Sequence, residues 1–74
     1  MYKDSKLDTE ILFATADATW RSEAARVLDL NPDDPDLTRV PAARGEPDTV
    51  LRLAFDVRER AYGMLLGAIR RSLH

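Results

Sequence analysis

Residues 31–46, NPDDPDLTRVPAARGE, interrupt an otherwise helical pattern, and their reading decides the fold. Asn31-Pro32 stops whatever helix precedes it, because a residue before proline avoids the α region. Asp34-Pro35-Asp36-Leu37 reads as a cap followed by proline at the first position of a short helical turn. Pro41 ends that turn, and Gly45 frees the backbone to re-enter a helix. The connection is long for a helix pair. Leu37 and Val40 are apolar enough to tuck back onto the helices it joins.

Upstream, residues 8–30 contain no Gly or Pro and read as the first helix. Asp8 or Thr9 suits its cap, and Glu10 suits the positive first turn. Leu7, Ile11, Ala14, Ala18, Ala25 and Leu28 recur at helical spacing. Beside them runs a second line, Phe13, Ala16, Trp20, Ala24 and Val27. Downstream, residues 47–73 read as the second helix. Pro47 suits its first position, and Asp48 and Thr49 its first turn. Val50, Ala54, Val57, Ala61, Leu65 and Ala68 form one stripe; Leu51, Phe55, Tyr62, Leu66, Ile69 and Leu73 form another. Arg70 and Arg71 complement the negative helix end. Residues 1–7 read as a flexible N-terminus, and the whole chain as a single helical domain.

Each helix therefore offers two apolar stripes where a hairpin needs one. The expected fold is all-α, a long helical hairpin whose surplus stripes pair with another copy into a four-helix bundle. The alternative is that the connection folds back and covers the surplus by itself. Trp20, Phe55, Tyr62 and Leu66 are the expected interface anchors.

Size and composition support the need for a partner. Seventy-four residues bury a modest core. There is no cysteine, so disulfides and thiolate metal sites are excluded, and the one histidine is His74. Neither a metal site nor a cofactor is expected. The polar start Met1-Tyr2-Lys3-Asp4-Ser5-Lys6 lacks the apolar core of a signal peptide, and no apolar run approaches the roughly 18 residues of a membrane span. The expected location is the cytoplasm, with no membrane partner; the Ala, Arg and Asp bias suits a GC-rich bacterial genome. Charge is uneven. Residues 1–49 carry six basic and eleven acidic side chains, whereas residues 50–74 carry five arginines against Asp56 and Glu59. Such a chain has no overall pull toward nucleic acid, but it can pair head to tail with itself.

Several features bear on chemistry. With about 100° per residue, Glu10, Asp17 and Arg21 fall amid the apolar face of the first helix, and Arg58 falls amid that of the second. Asp17 and Arg21, four apart, can pair directly. This polar cluster reads as an ion-pair group that fixes register or partner choice, as arginines gripping an anionic ligand, or with Arg58 snorkelling at an edge. Gly63 and Gly67 share one helical face and offer two bare backbone patches that admit a bulky side chain or a crossing helix. Asp29-Leu30-Asn31-Pro32-Asp33 resembles the opening of an EF-hand calcium loop, but Asp34 stands where that loop has glycine and Val40 where it has glutamate. The acidic side chains read instead as turn caps.

Glu23 to Leu37, EAARVLDLNPDDPDL, resembles the end of a tetratricopeptide repeat and its inter-repeat turn. The resemblance covers about fifteen residues and implies a helix ending at Leu30. Trp20 stands where the repeat has a small residue, and no second repeat follows. Arg52, Arg60, Arg70 and Arg71 lie on the exposed side of the second helix but lack interleaved aromatics and lysines. Ser5, Ser22 and Ser72 have no evident base, no Gly-rich phosphate loop is present, and no enzyme is expected. The leading expectation is a small regulatory or accessory protein-interaction module, acting by helix-mediated dimerisation and docking on a larger protein. The alternatives are a nucleic-acid-associated dimer using the second helix's arginines, and a small ligand-binding or catalytic bundle around Asp17, Arg21 and Arg58.

Overall fold

The computed structural model describes residues 5–73. Their architecture is all-helical: α1 (Ser5–Leu28), two 3₁₀ turns (Leu37–Arg39 and Pro41–Arg44), and α2 (Val50–Ser72). The two long helices run antiparallel as a hairpin; the second 3₁₀ turn packs against both, and the first packs on the second and delivers Leu37 to the core. Of the expected flexible N-terminus, residues 1–4 lie outside the described residues; residues 5–7 are helical.

The helix limits differ from the sequence reading, for local reasons. Helix α1 already includes Ser5, so Thr9 sits within it; its hydroxyl donates to the Lys6 carbonyl at 2.8 Å and does not cap. The helix ends at Leu28, two residues short of Leu30. Asp29 adopts φ 56°, the left-handed conformation that closes many helix C-termini. Helix α2 starts at Val50, not Pro47. Thr49 is its cap: extended at φ −107°, with its Oγ1 accepting the Arg52 N–H at 3.1 Å. In the connection, Asn31 Oδ1 accepts the Asp33 N–H and Asp34 Oδ1 accepts the Asp36 N–H. These turns delay the first 3₁₀ segment to Leu37, and Pro41 opens the second rather than ending the first. Gly45 is at φ 82°, and a Cβ there would lie 2.8 Å from the Arg52 Cα. Only glycine lets the chain pass so close to the first turn of α2.

Small side chains fill the seam. The buried residues of the helices are Thr9, Ala16, Trp20 and Ala24 on α1, and Leu51, Ala61 and Ala68 on α2. Among the described residues, Trp20 and Leu37 are the large side chains that are fully buried. Trp20, Ala24, Leu37, Ala43 and Leu51 form the core, flanked by Leu28, Leu30, Val40, Ala54 and Phe55. The core thus sits at the loop end of the hairpin, where the 3₁₀ turns supply Leu37 and Ala43. The molecule measures 43 × 24 × 19 Å with a radius of gyration of 13.8 Å. A compact domain of this length has a radius near 11 Å, so this is a rod with one clad side.

Candidate functional site

The two sides of the hairpin differ, and the difference is built from aromatic and polar pairings on the clad side. The Trp20 indole N–H donates to the Ala43 carbonyl at 2.7 Å, pinning the second 3₁₀ turn to α1. Phe55 packs against Trp20 with ring centroids 5.6 Å apart, and Phe13 against Tyr62 at 5.4 Å. Between these pairs lies Asp17. Its Oδ1 accepts from Arg58 Nε at 2.7 Å and its Oδ2 from Arg21 Nε at 2.9 Å. Arg21 continues to the Pro32 and Asp34 carbonyls at 3.0 and 2.7 Å. The Arg58 guanidinium lies 5.0 Å from the Phe13 ring and 5.1 Å from the Trp20 ring, within cation–π range. It also pairs with Glu59 at 2.5 Å.

One carboxylate thus ties together α1, α2 and the connection. Three of the four polar residues singled out from the sequence, Asp17, Arg21 and Arg58, meet here. Glu10 does not: it is exposed and takes no part in these ion pairs. Both Asp17 oxygens are engaged, and Arg21 is turned onto backbone carbonyls. The arrangement holds the connection against the hairpin. Among the described residues, no three His, Asp or Glu side chains converge as metal ligands.

Trp20, expected to anchor a partner, is 0% exposed within its own chain. This corrects the expectation, because the fold-back of Ala43 and Leu37 covers the indole completely. Phe55 and Leu66 are half-buried, and Tyr62 is exposed on the clad side. Gly63 faces open space, with nothing within 4 Å of a Cβ placed there, and Gly67 would meet only the Arg71 side chain. Among the described residues, no bulky group or crossing helix occupies the glycine face.

The other side of the hairpin is bare. A groove runs between α1 and α2, lined by Leu12, Thr15, Ala16 and Thr19 from one helix and Val50, Leu53, Ala54 and Val57 from the other. Val50 is 66% exposed and Leu53 62%. Leu12, Val57 and Met64 are exposed too. The connection is held on the opposite side, Ala43 by Trp20 and the Pro32 and Asp34 carbonyls by Arg21. The sequence reading named the surplus stripe; of its four anchors, Trp20 lies in the core, Phe55 packs on Trp20 and Tyr62 on Phe13, away from this groove. A periodic pattern shows that two stripes exist; it does not show which one the connection will cover. At the groove's loop end, Glu23 binds Arg26 through Nη2 at 2.6 Å. That hydrogen bond holds the Glu23 carboxyl below its ordinary pKa and raises that of Arg26. Arg26 is exposed, whereas Glu23 is half-buried.

The chain matches no family model, and no curated protein or solved structure is significantly similar to it. Among the described residues, no helix is long and apolar enough to cross a membrane.

Proposed function

We propose that this hairpin is a small protein-interaction module, regulatory or accessory in role, that docks another polypeptide on its bare flank. One observation carries the reading: the groove between Leu12, Ala16, Leu53 and Val57, lined mostly by carbon and, among the described residues, covered by no other element. Isolated exposed leucines are ordinary on protein surfaces, but contiguous apolar surface rimmed by polar groups marks interaction sites. The groove is straight and flanked by two helices, the geometry into which a further helix or helix pair lays its apolar face. The clad side supports this role by rigidity. Its core and ion cluster fix the two helices, so the groove is formed before a partner arrives and less ordering is required on binding.

Photo-crosslinking tests the reading. A photoreactive residue replaces Leu53 on the bare flank or, in a second protein, Arg39 on the opposite side, and both are irradiated in the native host. The expected result is a polypeptide adduct identified by mass spectrometry from position 53, either this chain or a larger protein, and none from position 39. If position 53 yields no polypeptide adduct, or no more than position 39, the flank is not a docking surface.

A further inference from the structure

Resting on this docking reading, we infer that the occupant of the bare flank is a second copy of this chain, laid antiparallel across a two-fold axis near Val57. The first support is the seam itself. Val50, Val57 and Met64 are seven residues apart and fall on one line of α2. Leu53 sits beside that line, and all four are exposed. This is the spacing by which two helices meet along a continuous apolar stripe, with β-branched residues and leucine in adjoining positions. Val57 is the midpoint, and two turns on either side lead to Val50 and Met64.

The second support is area. The chain exposes 5421 Å² of surface. A compact monomer of 8.3 kDa exposes roughly 4,600 Å². The excess, about 800 Å², is what one partner contributes to a standard stable interface. One identical copy therefore suffices to bring the molecule to ordinary surface coverage.

The third support is charge. At the loop end of the rod, residues 29–48 carry six acidic side chains against Arg39 and Arg44, and of these Glu46 lines the surface beside Val50. At the other end, α2 carries Arg60, Arg70 and Arg71 beyond Glu59 and α1 carries Lys6 against Asp8 and Glu10, a net positive balance. These surfaces lie toward opposite ends of a 43 Å rod. An antiparallel pair sets each acidic loop end against the other copy's arginine-rich helix tail. A parallel pair stacks like on like, an arrangement that complementary interfaces avoid. The antiparallel arrangement is also self-complementary, as closed two-fold symmetry requires.

The chain's lack of cysteine permits a direct test. Val50→Cys is mixed under mild oxidation with Met64→Cys and, separately, oxidised alone. In the antiparallel pair, position 50 of one copy faces position 64 of the other, whereas the two copies of position 50 lie about 20 Å apart along the rod. In a parallel pair the preference reverses. The expected result is a Val50→Cys/Met64→Cys disulfide favoured on the order of ten-fold over the Val50→Cys/Val50→Cys one. The pair Leu53→Cys with Arg60→Cys gives an independent readout should one variant lose its helical circular dichroism. A reversed ratio, or no disulfide-linked dimer in any mixture, overturns the inference. If no dimer forms but position 53 still crosslinks a larger protein in cells, the second copy is ruled out and the docking reading stands.

Discussion

At the scale of single residues, Asp17 is the decisive side chain. Its carboxylate neutralises two guanidinium groups, one from each side of the helix seam, and one of those also carries the connection. Arg58 has only 12% of its side chain exposed, so removing Asp17 leaves a largely desolvated cation with Glu59 and two ring faces for company. Breaking a buried pair costs about 3–5 kcal/mol. Partial solvent access to Asp17 reduces that to about 2 kcal/mol. Asp17→Ala is therefore expected to lower the urea midpoint, and Asp17→Ala combined with Arg58→Leu to recover most of the loss; a single substitution with no effect on the midpoint would show the cluster to be ornamental. Three members of this cluster were readable from angular position alone. Glu10 was misplaced because it shares Asp17's side of α1 but lies seven residues farther from the loop, beyond the reach of the turns that cover Trp20. Angular position says which way a residue points around its helix, not what stands opposite.

At the scale of elements, two helices and a breaking connection were plain in the sequence because prolines and helical periodicity are strong local signals. Their ends were not, since each end is set by one hydrogen bond or one backbone angle. Pro47 looks like a first helical residue, yet the Thr49 hydroxyl captures the Arg52 N–H and sets the start two residues later than Asp48. Asp29 takes the left-handed turn usually given to glycine, so α1 ends before the Leu30 that the repeat-like sequence suggests. The two glycines of α2 are the clearest element-scale prediction. Gly63 faces empty space, so its lack of a side chain relieves no clash within the hairpin. Gly63→Ala should raise stability by about 1 kcal/mol through helix propensity, read as a higher thermal midpoint with unchanged oligomeric state. A lower midpoint would mean that the bare backbone at Gly63 is in contact with something after all.

At the scale of the whole molecule, the connection has a single role with two consequences. By folding onto the Trp20 side it builds the core, and by being held there it leaves Leu53, Val57 and their neighbours uncovered. The sequence reading weighed whether the connection could cover the surplus apolar surface alone; the structure shows it covering one flank. The remaining surface lies along a rod that is longer and more exposed than a compact domain of the same mass. Sedimentation equilibrium of the purified chain, beside Leu53→Glu, tests the consequence most directly. A second copy on the bare flank predicts twice the 8.3 kDa chain mass for the native sequence. It predicts a single chain mass for Leu53→Glu, with helical circular dichroism still present. A native chain that sediments as one folded 8.3 kDa particle even at millimolar concentration, indifferent to the charge at position 53, would contradict it.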